Sequence, residues 1–129
     1  MLYKGSCMCG DCKFEADLDL TKPTGKCNCT LCSKGRYWST RCEPDQFNLI
    51  SGDLAEYIHK NPEIRRYFCK KCGITLCAKF NFPHLGGEKV SPNLACLDVT
   101  PEDWAKMPVR YLDGLNDNWM NEPKETSYM

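Results

Sequence analysis

The sequence Gly25-Lys26-Cys27-Asn28-Cys29-Thr30-Leu31-Cys32 places three thiols within six residues. Thiolates spaced two and three residues apart can point inward from one turn and bind a single metal ion. Zinc is the metal that such a set predicts, because it accepts sulfur ligands in tetrahedral geometry. Three thiolates leave one of the four positions to another ligand, and an open position is typical of catalytic zinc.

Two further cysteine groups lie on either side of this stretch. Cys7 and Cys9 are alternate residues, so in an extended segment both face the same side and can reach one metal. Cys69 and Cys72, followed by Gly73, have the spacing of a zinc knuckle. We therefore predict a structural zinc bound by Cys7, Cys9, Cys69 and Cys72.

The fourth ligand of the three-thiol site is left open by the sequence. Cys12 begins an alternating run to Leu18 that predicts a half-buried strand, so it is either a core thiol or a ligand that closes this site. His59 and His84 are the other candidate ligands, although each lies in a polar turn typical of a solvated histidine. The remaining thiols are predicted to pack as small apolar groups: Cys42, Cys77 and Cys96.

The composition limits the class of protein. Eleven cysteines in 129 residues require metal or disulfides, and the odd count and the absence of a secretory leader favour metal in a reducing cytoplasm. The 17 basic and 17 acidic residues balance, and metal-bound thiolates add negative charge. We therefore expect no nucleic-acid partner, and no apolar run is long enough for a membrane partner. The length predicts a single domain over residues 1–129.

Short runs of strand-forming residues between turn residues predict a mainly β protein. Thr100-Pro101-Glu102-Asp103 has the cap, proline and acidic residues of a helix start, so we predict one short helix at 101–107 and no other clear helix. The tail 111–119 is expected to be an ordered loop on the body, and the residues beyond it are expected to be loose. The predicted strands lie within residues 12–18, 36–40, 46–50, 54–58, 74–82 and 94–99.

The three cysteine groups resemble a known family when they are taken in order. They read Gly5-Ser6-Cys7-x-Cys9-Gly10, Cys27-x-Cys29-x-x-Cys32 and Arg66-x-Phe68-Cys69-x-x-Cys72-Gly73-x-x-Leu76. This pattern, over about residues 3–120, resembles the glutathione-dependent formaldehyde-activating enzymes, a family that also contains centromere protein V. The resemblance implies curled antiparallel sheets of short strands stapled by two zinc sites, one structural and one catalytic with three thiols. Cys12 departs from the family pattern, in which small or apolar residues are commoner at that position.

The resemblance also implies a carbon–sulfur lyase that joins glutathione to formaldehyde as S-hydroxymethylglutathione. Zinc would lower the pKa of the substrate thiol. Because the charge of three thiolates already exceeds that of Zn²⁺, a fourth thiolate from the substrate would react only with nearby hydrogen-bond donors or a labile Zn–S bond. Asn28, Thr30 and Ser33 are candidate donors. Arg65 or Arg66 is either a ligand for a substrate carboxylate or a solvated charge at a strand edge. The main alternative function is a non-catalytic, zinc-stabilised binding module with two saturated zincs.

Overall fold

The computed structural model describes residues 1–129 as three small sheets and two short helices, which confirms the mainly β prediction. The helices are α1 (Thr30–Gly35) and α2 (Pro101–Lys106). Single 3₁₀ turns lie at Pro44–Gln46, Pro83–Leu85, Leu94–Cys96 and Gly114–Asn116. The strands are β1 (Leu2–Ser6), β2 (Lys13–Asp17), β3 (Thr24–Cys27), β4 (Trp38–Ser39), β5 (Phe47–Ser51), β6 (Leu54–Ile58), β7 (Ile64–Cys69), β8 (Thr75–Phe82), β9 (Gly87–Pro92) and β10 (Val109–Leu112).

The three sheets have the strand orders β1-β2-β5, β10-β3-β4 and β6-β7-β8-β9. Every neighbouring pair is antiparallel except β3 and β10, which run parallel with Thr24 opposite Val109 and Cys27 opposite Leu112. A parallel pair needs a long connection, and here most of the chain separates the two strands. The pairing brings the C-terminal part of the protein alongside the residues that lead into the three-thiol stretch.

The core explains the alternating pattern of β2. Phe14 and Ala16 are buried, whereas Lys13 and Asp17 are exposed, as the sequence predicts for a half-buried strand. The Phe14 ring stacks on Phe47 with 5.1 Å between the ring centroids. The same core contains side chains from the third sheet and from the segment that follows it, including Leu76, Val90, Leu94 and Leu97.

The predicted helix start at Thr100 is confirmed. The Thr100 side chain accepts a hydrogen bond from the Asp103 amide, and the Asp103 carboxylate accepts one from the Thr100 amide. Trp104 packs the helix against the core, and its Nε1 donates to the Leu94 carbonyl at 2.9 Å. Neither helix combines the length and the apolar character that a bilayer crossing needs.

The prediction of a single helix was wrong, because α1 forms inside the cysteine stretch. Its N-cap is Cys29, whose sulfur accepts a hydrogen bond from the Cys32 amide at 3.4 Å. Serine, threonine, aspartate and asparagine are the usual N-cap residues, so a cysteine at this position gives no helix signal in the sequence. This helix places two of the three clustered thiols close together, Cys29 at its N-cap and Cys32 in its first turn.

Three predictions for the later part of the chain were also wrong. The apolar run 94–99 begins with a 3₁₀ turn at Leu94–Cys96 and forms no strand, because the Asn93 side chain accepts a hydrogen bond from the Ala95 amide and bends the backbone. The tail contributes strand β10 before its loop. Most residues beyond Trp119 are exposed, but this segment is held to the body where Pro123 is buried and where the Arg36 guanidinium donates to the Tyr128 carbonyl.

Candidate metal centres

The first cluster joins the turn between β1 and β2 to the end of β7. The sulfur atoms of Cys7, Cys9, Cys69 and Cys72 all lie within 4.8 Å of one another. Two of these distances are 3.5 Å, between Cys7 and Cys9, and 3.7 Å, between Cys9 and Cys69. A tetrahedral zinc with Zn–S bonds of about 2.3 Å separates its sulfurs by about 3.8 Å. The four thiols therefore fit one zinc ion.

Backbone amides surround this four-sulfur cluster. The Cys12 amide donates to the Cys7 sulfur at 3.3 Å, and the Lys71 amide donates to the Cys69 sulfur at 3.4 Å. The Cys72 amide holds the pKa of Cys69 below its usual value, because a hydrogen bond to sulfur stabilises the thiolate. The turn after Cys72 is possible because Gly73 has a φ of 77°, in the left-handed region.

Cys12 lies beside the four-sulfur cluster. Its side chain is fully buried, and its sulfur lies within 4.8 Å of the Cys69 sulfur and of a carboxylate oxygen of Asp11. Burial raises the pKa of Cys12 to about 12, so it remains a neutral thiol. It does not belong to the three-thiol group, and the alternative in which Cys12 closes that group is therefore wrong in this fold.

The second cluster consists of Cys27, Cys29 and Cys32, whose sulfurs lie within 4.8 Å of one another. Cys27 ends β3, Cys29 caps α1 and Cys32 lies in the first turn of that helix. The Cys29 amide donates to the Cys27 sulfur at 3.4 Å, and the Cys32 amide donates to the Cys29 sulfur at the same distance. The local backbone thus turns all three thiols toward one point, which suits a single metal ion.

The three thiols differ in how readily they lose their protons. Hydrogen bonds from Cys27 and Cys32 lower the pKa of Cys29, whereas the pKa of Cys32 is raised by its hydrogen bonds to Cys27 and Cys29. One thiolate therefore forms readily, and the next is opposed by the charge already present. A divalent cation removes that opposition, because it needs all three ligands deprotonated.

No fourth cysteine, histidine, aspartate or glutamate joins the three-thiol group. His59 lies near Tyr57, with 3.3 Å between the phenol oxygen and Nδ1, and His84 packs against Phe82 with 5.5 Å between ring centroids. Neither histidine belongs to the cluster, so the structure does not support them as ligands. The protein supplies three ligands of the usual zinc-binding types.

Asn28 fixes the cysteine stretch to the tail of the protein. Its Nδ2 donates to Asp113 Oδ1 at 2.9 Å, and its Oδ1 accepts from the Leu115 amide at 2.9 Å. Ser33 Oγ donates to the Asn28 carbonyl at 3.0 Å. The polar atoms of Asn28 and Ser33, which the sequence offered as substrate donors, are engaged within the protein, and only Thr30 is exposed.

Gly114 brings the tail backbone directly against the cluster. A Cβ atom at this position would lie 2.5 Å from the Cys27 sulfur and 2.8 Å from the Trp119 ring. Neither Asp113 nor Gly114 was found from the sequence, because both lie more than 80 residues from Asn28 and no spacing connects them. The β3–β10 pairing is what brings them to the site.

Arg66 also contacts the three-thiol cluster. Its Nη2 donates to the Cys32 sulfur at 3.1 Å, and its guanidinium lies 4.3 Å from the centroid of the Tyr37 ring. Arg65 is exposed and forms an ion pair with Glu56 at 3.6 Å. The solvated strand-edge interpretation therefore fits Arg65 and is wrong for Arg66, because adjacent strand residues face opposite sides.

A cavity of about 210 Å³ opens beside the cluster and is lined by Cys27 and Cys32 among others. Lys26 and Arg36 also line it, and neither forms an ion pair with an acidic side chain. The Lys26 ammonium lies 5.0 Å from the centroid of the Trp38 ring. The cavity next to the three thiols therefore has two cationic side chains in its lining.

Comparisons with known proteins agree with this architecture. A crystal structure of a Rhodobacter sphaeroides protein matches with a TM-score of 0.69 and 23% sequence identity, over 83% of this chain and 99% of that chain. At this identity the likeness supports the fold. The comparison with curated proteins gave no significant match. The family model for glutathione-dependent formaldehyde-activating enzyme matches residues 2–111, a range that contains all seven clustered cysteines. Because this match covers most of the chain, the protein belongs to the glutathione-dependent formaldehyde-activating enzyme family.

Proposed function

We propose that the protein is a zinc-dependent carbon–sulfur lyase that adds a small thiol, such as glutathione, to a small aldehyde, such as formaldehyde, or catalyses the reverse reaction. The observation that carries this proposal is the cluster of Cys27, Cys29 and Cys32, which lacks a fourth ligand from the protein. A metal with three protein ligands keeps one position for an exchangeable ligand, as in catalytic zinc sites. Family membership supports the same reaction.

The two clusters then have different roles. Cys7, Cys9, Cys69 and Cys72 would form a closed site with no exchangeable position, typical of structural zinc. Such a site contributes about 10–16 kcal/mol of apparent binding free energy, which is comparable to the stability of a whole domain. It joins the β1–β2 turn to the end of β7, so it stabilises contacts between segments about 60 residues apart. We propose two zinc ions per chain.

The chemistry divides between metal and protein. When bound, Zn²⁺ supplies a Lewis acid that lowers the pKa of a substrate thiol. Lys26 and Arg36 line the adjacent cavity without an acidic partner, and they would bind the two carboxylates of glutathione and hold its sulfur near Cys27 and Cys32, Arg36 through the guanidinium hydrogens that its bond to the Tyr128 carbonyl leaves over. The sulfur attacks the aldehyde carbon, and the carbonyl oxygen takes the proton that the thiol has lost. The product is an S-hydroxymethyl thioether, and no oxidant or reductant is required.

We also propose a cytoplasmic location. All eleven cysteines are free thiols in the structure, and the glutathione pool of the cytoplasm keeps thiols reduced. In an oxidising compartment, the clustered thiols would pair with one another and lose their ability to bind metal. The cytoplasm would therefore supply both the glutathione substrate and the reducing conditions that keep the cysteine ligands as thiols.

The proposal is tested by measuring the exchange between free glutathione and its formaldehyde adduct by NMR at equilibrium. The wild-type holoprotein is expected to accelerate this exchange above the spontaneous rate. Cys29→Ser removes a cluster ligand and is expected to lower the acceleration about 100-fold or more. Cys42→Ser, at a buried thiol outside both clusters, is the matched control and should retain the wild-type rate. A wild-type protein that binds two zincs and leaves the exchange at its spontaneous rate would instead be a binding module.

A further inference from the structure

Arg66 is buried in part against the three-thiol cluster without an acidic partner. It lies on β7, between β6 and β8, where its neighbours across the sheet are Tyr57 and Ala78. Its Nε is buried and has no hydrogen-bond partner in the protein, and none of the ion pairs includes it. Removing a guanidinium from water is costly unless an anion lies close to it. When a metal deprotonates the cluster, the Cys32 sulfur, 3.1 Å from Nη2, would be a thiolate and would supply this anion.

The position of the Arg66 side chain is fixed from its other side. The guanidinium stacks on the Tyr37 ring at 4.3 Å, and Tyr37 is only 7% exposed. The Tyr37 hydroxyl donates to the Ser91 carbonyl on β9, so the ring is anchored to the third sheet. Tyr37 directly follows the C-cap of α1, and the stack therefore links this sheet to the helix that carries the cysteines. The positive charge is held at one place relative to the sulfurs.

The charge of the cluster gives this contact a function. Three thiolates exceed the charge of one Zn²⁺, so binding a further anionic ligand adds negative charge to a site that is already negative. We propose that Arg66 compensates this charge and thereby selects an anionic ligand, a substrate thiolate, for the exchangeable position. The inference rests on the proposed function, since it requires that position to be open. A cation that contacts one ligand sulfur lies near the other ligands of the same metal, so it stabilises an incoming negative charge and leaves a neutral ligand almost unaffected.

This role predicts a difference between two small ligands. Protein loaded with Co²⁺ reports ligand binding through its visible absorption, and the four-sulfur cluster contributes a constant background. It is titrated with 2-mercaptoethanol, which binds as a thiolate, and with imidazole, which binds without charge. Neither probe carries a carboxylate, so Lys26 and Arg36 do not influence the comparison. The variants are Arg66→Gln, Arg66→Lys and the matched control Arg65→Gln, which removes the same charge from an exposed neighbour on the same strand.

We expect Arg66→Gln to weaken 2-mercaptoethanol binding about tenfold and to change imidazole binding less than about twofold. Arg65→Gln should leave both unchanged, and Arg66→Lys, which retains the charge but not the planar stack, should recover most of the thiol affinity. Equal weakening of both ligands in Arg66→Gln would refute charge compensation and leave the proposed function intact. If the site collapses in Arg66→Gln and neither ligand binds, the test uses Arg66→Lys instead. If Arg66→Lys no longer prefers 2-mercaptoethanol to imidazole, the proposal is refuted. A wild-type spectrum that neither ligand changes would refute the open position itself, and this inference with it.

Discussion

Gly114 lies where the tail backbone meets the Cys27 sulfur. A methyl group at this position would stand 2.5 Å from that sulfur, 2.8 Å from the Trp119 ring and 3.2 Å from Cys29 Cβ. Packed protein interiors have no room for such an approach, and overpacking forces neighbouring atoms to shift. The backbone cannot move away freely, because Asp113 and Leu115 on either side are bound by Asn28.

We therefore expect Gly114→Ala to displace Cys27 and to weaken metal binding at the three-thiol cluster. The variant should retain about one of two zinc ions per chain after dialysis against a mild chelator, because a Cβ at Gly114 would meet none of the four cysteines of the other cluster. Gly35→Ala is the matched control, since a Cβ there meets nothing within 4 Å and alanine is favourable in a helix. Equal zinc content in the two variants would contradict the close approach.

The sequence predicts each of the three cysteine groups, because the spacing within a group is a local property, and the structure brings the group at Cys7 and the group at Cys69 together. Arg66 could not be separated from Arg65 in the same way. Adjacent residues of β7 face opposite sides of the sheet, and the side that faces the cluster depends on the register of the strand. The burial along β7 does not alternate, so no alternating pattern identifies Arg66. The contribution of Gly114 is a tertiary contact and leaves no local pattern.

Among the elements, the pairing of β3 with β10 positions the cysteine stretch. Its register places Leu112 opposite Cys27, so the chain that follows β10 passes the three thiols. Asn28 extends the pairing beyond the strands, because its side chain bonds both the Asp113 carboxylate and the Leu115 amide. The first bond is buried and the second is partly buried, so removing the Asn28 side chain takes one hydrogen bond from each of its two partners.

Replacing Asn28 by alanine is therefore expected to destabilise the protein. The variant should lose about 2 kcal/mol of unfolding free energy, because the Leu115 amide loses its partner and the Asp113 carboxylate keeps only the hydrogen bonds from Asn116. Urea unfolding of the zinc-loaded protein measures this loss. Asn48→Ala, at an exposed position on β5, should change the free energy by less than about 0.5 kcal/mol. Equal stability of the two variants would show that Asn28 does not anchor the tail.

The elements differed in how well local sequence predicted them. Helix α2 was predicted because its cap, proline and acidic residues are all local signals. The run from Leu94 was apolar because it is buried, and burial alone does not distinguish a strand from a 3₁₀ turn. Strand β10 was missed because its partner β3 lies more than 80 residues away, and parallel pairing has no short-range signal.

For the molecule as a whole, the two clusters connect segments that are distant in the sequence. The four-sulfur cluster joins the N-terminal hairpin to the third sheet, and the three-thiol cluster lies where α1, β10 and Arg66 meet. The sheets are small, so metal would supply much of the cohesion between them. The same arrangement leaves one cluster closed by protein ligands and the other with three.

X-ray absorption at the zinc edge, together with zinc stoichiometry, measures this difference directly. We expect two zincs per chain and an average of about 3.5 sulfurs per zinc, rising to about 4 when glutathione replaces a lighter ligand at the three-thiol site. Cys12→Ser should give the same values, because Cys12 lies outside that cluster. An average of four sulfurs without glutathione, unchanged when glutathione is added, would contradict an open catalytic position.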